Sequence, residues 1–183
     1  MNLPESFIRT IQDLYGDPGR TWIKNLPVLI RDCELRWSIT ILPAYALSYN
    51  YVAPAVHIDG TPLVFKAGFP NPELSSEMEA LRIYNGHGAC RLLAADTARG
   101  VLLLERVQPG VLLAALEDDR AATSIAAALM RQLWRPVPAG KAFPTVQHWA
   151  AGLQKLRIFY KGGTGPFPRR LVEQLKTSSK TCW

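Results

Sequence analysis

Short apolar runs separated by polar turns dominate residues 37–107, and this pattern predicts a β-sheet. Five segments have the length and composition of strands: residues 37–42, 51–56, 63–66, 90–95 and 100–106. Asp59-Gly60 is a tight-turn dipeptide that closes a hairpin between the second and third strands, and residues 96–99 close another between the last two. The sequence therefore predicts three strands, then a helix, then two more strands.

Helical periodicity occupies the rest of the chain. Asn71-Pro72-Glu73 opens the helix between the third and fourth strands, with Leu74, Met78 and Leu81 on its apolar face. The same spacing predicts an N-terminal helix that ends at residues 16–19, and a second one over 22–37 that is interrupted at Pro27. After the sheet we expect a short helix over 111–116, a longer one capped by Asp118 or Asp119, and another over 146–156.

The candidate chemistry is Lys66 at the end of the third strand and Glu77 on the helix that follows. A lysine at a strand end is more often a solvated edge charge. A strand lysine paired with a helix carboxylate, however, is how kinase folds hold the α- and β-phosphates of ATP. Glu79 is the competing partner, but it lies two residues from Glu77 and cannot share its helix face.

These segments together resemble one family, the aminoglycoside and hydroxyurea antibiotic-resistance kinases that include streptomycin 6-phosphotransferases. The stretches that carry the likeness are Trp37 and residues 48–52, 64–66, 77–84, 86–93 and 103–110. The resemblance runs from about residue 3 to about residue 176. It implies an α+β, protein-kinase-like fold: a five-stranded antiparallel small lobe with one crossing helix, plus the first helices of an incomplete large lobe. The expected domains are an N-terminal helical segment (1–36), the small lobe (37–107), and a hinge with a partial helical large lobe (108–183).

The resemblance also implies roles for particular residues. Lys66 would bind the phosphates of ATP and Glu77 would hold it by an ion pair. Ser48 and Asn50 lie in the loop that would cover the phosphates; because this loop has no glycine, the Ser48 hydroxyl and the Asn50 amide would replace backbone contacts. Adenine would bond the backbone of Glu105 and Val107 at the hinge. The expected cofactors are ATP and magnesium, and the expected acceptor is a hydroxyl of a streptomycin-like aminoglycoside or of hydroxyurea.

The catalytic half of such a kinase is absent from this sequence. The family's catalytic loop is His-x-Asp with an Asn five residues after the Asp, followed by a metal-binding Asp. Residues 120–183 contain no Asp and no Asn, and Glu173 is their only acidic side chain. One His-x-Asp triplet is present, His57-Ile58-Asp59, but it precedes Lys66 and has Val64 where the Asn is needed, so we do not expect it to be catalytic. The sequence therefore predicts no catalytic or metal-binding residue in this chain, truncation before the catalytic loop, and a polar tail at 176–183 that departs from the family.

Composition bears on the compartment of the protein and on membrane and nucleic-acid binding. Cys33, Cys90 and Cys182 are odd in number and lack metal-site spacing, as expected of reduced thiols in a cytoplasm. The sequence contains no apolar run of 18 residues, so it predicts no membrane span, and its N-terminus lacks the pattern of a secretory signal. The net charge of the chain is +6: residues 120–183 carry a net +10 and residues 1–119 a net −4. No platform of aromatic side chains is interleaved with these basic residues, so the charge does not predict nucleic-acid binding. Two other hypotheses stay open: a non-catalytic remnant that binds nucleotide weakly or a protein partner, and a kinase of another metabolite alcohol.

Overall fold

The computed structural model describes residues 2–145, 148 and 152–174, and the chain divides into two compact units, 1–135 and 136–183. The first unit holds a five-stranded antiparallel sheet with the strand order β1-β2-β3-β5-β4. Its strands are β1 (Ile39–Ile41), β2 (Tyr51–His57), β3 (Pro62–Ala67), β4 (Leu92–Asp96) and β5 (Val101–Glu105). This is the predicted α+β, kinase-like small lobe, with each strand within a few residues of its expected position.

Alternation along the strands separates two apolar cores on the two faces of the sheet. On β3, Leu63, Phe65 and Ala67 enter a cluster with buried residues of the N-terminal helix. Val64 packs on the opposite face, against a cluster that the next helix, α2 (Pro72–Tyr84), builds from Leu74, Met78 and Leu81. Lys66 therefore lies on the α2 face of the sheet, because it is two residues from Val64.

The N-terminal region agrees with the sequence prediction in one respect and differs from it in another. Its helical residues, α1 (Glu5–Trp37), form two helical segments that meet at a kink at Gly16, where φ is 59° and ψ is −136°. The predicted break over residues 16–19 is confirmed, whereas the predicted interruption of the second segment at Pro27 is wrong. Leu26 and Cys33 on either side of Pro27 are buried in the sheet core, so tertiary packing offsets the backbone hydrogen bond that proline removes.

The kink brings two parts of α1 together at Gly19. A Cβ built at Gly19 would lie 2.6 Å from the carbonyl oxygen of Ile11. Only a residue without a side chain fits this close approach. Two ion pairs then hold the end of α1 to the β4–β5 hairpin: Arg36 with Asp96 at 2.7 Å, and Asp32 with Arg99 at 2.8 Å.

Helical structure follows the sheet, as predicted, but with shifted bounds. The expected helix over 111–116 is a single 3-10 turn at Leu113–Ala115. Asp118 caps α3 (Asp119–Leu133) by accepting hydrogen bonds from the amides of Arg120 and Ala121. In the second unit, α4 spans Gly152–Phe159 and residues 169–174 are helical. Much of the helix expected over 146–156, and the tail 176–183 with Cys182, lie outside the described residues.

Candidate functional site

The central feature of the site is an ion pair between β3 and α2. Lys66 Nζ donates to both oxygens of the Glu77 carboxylate, at 2.6 and 2.7 Å. The predicted ion pair is therefore present. Glu79, the competing carboxylate, instead lies 3.4 Å from Arg82 on its own helix.

Local sequence explains why Glu77 faces the sheet. The Asn71 side chain accepts a hydrogen bond from the Leu74 amide, which fixes the start of α2. Glu77 follows Leu74 by three residues and precedes Leu81 by four, and both of those leucines are buried against the sheet. Positions at these spacings share one helix face, so the carboxylate is carried toward β3.

Partial burial leaves the pair accessible. The Lys66 side chain is 17% exposed and that of Glu77 is 37% exposed. The ammonium is thus held in a fixed position by two charge-assisted hydrogen bonds, while an incoming anion can still reach it.

A cavity of about 920 Å³ opens where β5 ends. Tyr45, Val64, Cys90, Leu104 and residues 105–110 line it. Val64 on β3 and its partner Leu104 on β5 are part of this lining, so the cavity begins two residues, or about 7 Å, along the strand from Lys66. This volume lies in the range of small-ligand sites. Lys66 is not in the lining itself, but it shares a face of β3 with Val64, which is.

The predicted hinge residues lie along this cavity, and their backbone groups differ in availability. The Glu105 amide donates to the Arg91 carbonyl at 2.9 Å, while the Glu105 carboxylate accepts from the Arg91 amide at 3.0 Å. The Glu105 amide is therefore already engaged within the protein. Among the described residues, no hydrogen bond engages the backbone amide of Val107, whose side chain is exposed.

Cys90 adds a neutral group to the same wall. Burial raises the pKa of its thiol, the Glu105 and Glu77 carboxylates push it in the same direction, and a backbone hydrogen bond and Lys66 oppose them. The thiol is therefore protonated at neutral pH, and it lines the cavity as a small, mostly apolar side chain.

The loop between β1 and β2 lies at the Lys66 end of the sheet, because Val52 pairs with Lys66. Ser48 is exposed in this loop. Asn50 is half-buried and touches the start of the β3–α2 connection: a Cβ built at Gly68 would overlap the Asn50 amide oxygen. Asn50 thus lies beside the chain that leaves β3 two residues after Lys66, and it packs against backbone there.

The His57-Ile58-Asp59 triplet lies at the β2–β3 turn, at the opposite end of β3 from Lys66. Asp59 accepts a hydrogen bond from the Thr61 amide at 2.8 Å and pairs with His57 at 2.9 Å. The hydrogen bonds from Thr61, and then the one from His57, hold the pKa of Asp59 far below its usual range. Such a carboxylate is a poor proton acceptor.

Sequence reasoning missed several cavity residues. Val64 could have been found, since side chains two apart on a strand share a face. Tyr45 lies in an irregular loop that has no periodicity to reveal it, and Cys90 precedes β4 rather than belonging to it. Their place in the cavity depends on strand pairing between distant segments.

The described part of the chain was also compared with the side-chain clusters that hold metal ions and with helices that cross membranes. No group of three or more His, Cys, Asp or Glu side chains within the described ranges lies close enough together to hold a metal ion. None of the described helices combines the length and apolar character that a membrane crossing requires.

Comparison with known proteins shows which kinase sequences this chain is similar to. Residues 42–159 match the model of the aminoglycoside/hydroxyurea antibiotic resistance kinases. Over 142 residues the chain is 36% identical to streptomycin 6-kinase of Streptomyces glaucescens, covering 76% of this chain and 46% of that protein. It is 31% identical to streptomycin 6-kinase of Streptomyces griseus, again over 76% and 46% of the two chains. Hydroxyurea phosphotransferase of Kitasatospora aureofaciens is 33% identical, over 73% of this chain and 40% of its own length. The chain thus spans less than half the length of these relatives.

Proposed function

The chain belongs to the aminoglycoside/hydroxyurea antibiotic resistance kinase family, and we propose that its small lobe binds ATP for transfer of the γ-phosphoryl group to a hydroxyl. The observation that carries this proposal is the Lys66–Glu77 ion pair. It lies on the same sheet face as Val64, which lines the cavity beside the hinge.

Each residue then has a stated part in holding the nucleotide. The Lys66 ammonium binds the α- and β-phosphates, and Glu77 fixes its direction. Ser48 and Asn50 lie beside the phosphates in the β1–β2 loop. The Glu105 carbonyl accepts from the adenine amino group, and the Val107 amide donates to the adjacent ring nitrogen.

The acceptor is inferred from the relatives. Their names identify two of them as streptomycin 6-kinases and one as a hydroxyurea phosphotransferase. We assign the same class of acceptor to this protein, a hydroxyl of a streptomycin-like aminoglycoside or of hydroxyurea. We infer that the reaction takes place in the cytoplasm, where ATP is available.

The remaining groups of the reaction must come from outside this sequence. Phosphoryl transfer needs a residue that accepts the hydroxyl proton and carboxylate or amide ligands for magnesium. Residues 120–183 contain no Asp and no Asn. We therefore expect the 183-residue chain alone to bind ATP without phosphorylating streptomycin or hydroxyurea. Magnesium-dependent turnover by the pure chain, abolished in Lys66→Met, would contradict this.

Calorimetric titration with ATP tests the binding proposal. The wild-type chain should bind ATP, Lys66→Met should lose most of the affinity, and Glu79→Gln should retain it. The Glu79 variant is a matched control, because it removes from the same helix a carboxylate that pairs with Arg82. A folded wild-type chain with no affinity for ATP would refute the proposal.

A second candidate role, protein binding, is favoured by the surface of α3. This helix is strongly amphipathic, yet it contains no buried residue. Ile125 and Leu129 are 51% and 42% exposed and lie one turn apart on the same side of the helix, and Met130, next to Leu129, is 52% exposed. Exposed apolar side chains grouped in this way mark an interaction site. The partner we infer is the half of the family's fold that this chain does not match. Mixing the chain with the unmatched half of the S. glaucescens kinase should shift Trp134 fluorescence, and Ile125→Glu should abolish the shift; no association would rule this role out.

A further inference from the structure

One aromatic residue lines the cavity without a role in the scheme above. Tyr45 lies in the β1–β2 loop, and its backbone is anchored to β2: the Tyr45 amide donates to the Val52 carbonyl at 3.0 Å, and the nearby Leu42 amide donates to the Pro54 carbonyl at 2.9 Å. Both acceptors are on the strand that pairs with β3, where Val52 lies opposite Lys66 and Pro54 opposite Val64. The position of Tyr45 is therefore set by the same sheet that positions the lysine.

The walls of the cavity differ in chemistry. Val64 and Leu104 supply branched aliphatic side chains from β3 and β5, and residues 105–110 supply backbone groups along one edge. Tyr45 contributes the aromatic side chain of this lining. Its side chain is 43% exposed, so a flat ligand in the cavity would cover apolar surface that water now reaches.

We propose that the Tyr45 ring stacks on the nucleobase and positions it against the hinge. This rests on the proposed ATP binding and assigns a residue that neither the fold nor the relatives' names identify. Stacking on an aromatic ring is tolerant of base identity, since every base has a π-face. Tyr45 accordingly supplies affinity for any purine nucleotide, whereas the Glu105 carbonyl and the Val107 amide select adenine.

Tyr49 provides a matched control. It is a tyrosine in the same loop, it is 63% exposed, and it is not part of the cavity lining. Replacing either tyrosine removes the same side chain from the same loop. Only Tyr45 should therefore affect nucleotide binding.

Affinities for ATP and for inorganic tripolyphosphate, which has no base, test the proposal. Tyr45→Ala should weaken ATP binding roughly 5- to 150-fold, the range that corresponds to the loss of one base–aromatic stack. Tyr45→Phe and Tyr49→Ala should stay within about twofold of wild type. Tripolyphosphate affinity should be unchanged in Tyr45→Ala and lost in Lys66→Met.

Three results would overturn the inference. Equal ATP affinities for Tyr45→Ala and Tyr49→Ala would show that Tyr45 does not contact the base. A parallel loss of ATP and tripolyphosphate binding in Tyr45→Ala would assign the effect to loop structure. Absence of ATP binding by the folded wild-type chain would refute the proposed function, and this inference with it; wild-type ATP binding that Tyr45→Ala leaves unweakened refutes the stacking alone.

Discussion

Replacing the members of the Lys66–Glu77 pair should impair nucleotide binding far more than it impairs folding. The pair is bidentate at 2.6 and 2.7 Å, but its side chains are 17% and 37% exposed. Ion pairs that solvent reaches contribute about 0.2–1 kcal/mol, and the two-point geometry places this one near the upper end. We therefore expect a coupling energy of about 1 kcal/mol for the free energy of unfolding.

The effect on ATP should be larger. Lys66→Met removes a charged donor from two phosphates, and a hydrogen bond to a charged group contributes about 1.5–3 kcal/mol. ATP affinity should fall roughly 10- to 150-fold, while the melting temperature falls by only about 2–4 °C. Glu77→Gln should reduce affinity less than Lys66→Met does, since it releases the ammonium without removing it.

A double-mutant cycle measures both quantities. Urea unfolding followed by tryptophan fluorescence gives the stability of wild type, the two single variants and the double variant, and calorimetry gives their ATP affinities. Glu79→Gln is the control on the same helix. A coupling energy above about 3 kcal/mol, the range of buried ion pairs, with unchanged ATP affinity would show that the pair is structural and refute the reasoning.

Three further predictions concern other parts of the first unit. Partial burial raises the pKa of Asp96, but the hydrogen bonds from Arg36 and from the Arg99 amide outweigh this effect and hold the pKa below its usual range. The lowered pKa stabilises the folded protein at pH values above the unfolded-state pKa of about 3.9, and this stabilisation is lost as pH falls. The stability difference between wild type and Asp96→Asn should therefore shrink between pH 7 and pH 3, and a difference independent of pH would contradict it. In a Cys182→Ser variant, ATP should slow the alkylation of Cys90 at pH 8.5, because Cys90 lines the cavity, while the buried Cys33 stays unreactive. Equal alkylation rates with and without ATP would show that the nucleotide binds elsewhere. Gly19→Ala should destabilise the protein by about 1–3 kcal/mol in urea unfolding, since its Cβ would lie 2.6 Å from the Ile11 carbonyl oxygen, whereas the exposed Asn25→Ala should have little effect.

Local patterns in the sequence predicted the elements that local physics determines. Alternation gave the five strands, Asn71 and Asp118 marked two helix starts, and the order of elements placed Lys66 and Glu77 on facing surfaces. The helix α1 was predicted less well, because burial of Leu26 and Cys33 overrides the local effect of Pro27.

Contacts between distant segments could not be predicted from local patterns. The Glu105 amide is engaged by the Arg91 carbonyl, a pairing that depends on how the chain enters β4. Asn50 packs against Gly68 and Tyr45 reaches the cavity because β2 pairs with β3 in one particular register. The roles of Ser48, Asn50, Glu105 and Val107 in binding ATP stay predictions until they are measured.

The central claim is that ATP binds on the α2 face of the sheet, with its base at the hinge and its phosphates at Lys66. Amide chemical shifts of the isotope-labelled chain, recorded by NMR during a titration with ATP, test it most directly. We expect the largest changes at Val64, Lys66 and Val107, and a titration midpoint at roughly 10- to 150-fold higher ATP concentration in Lys66→Met. Changes confined to the basic residues of 136–183, or the same midpoint in Lys66→Met as in the wild type, would contradict the claim.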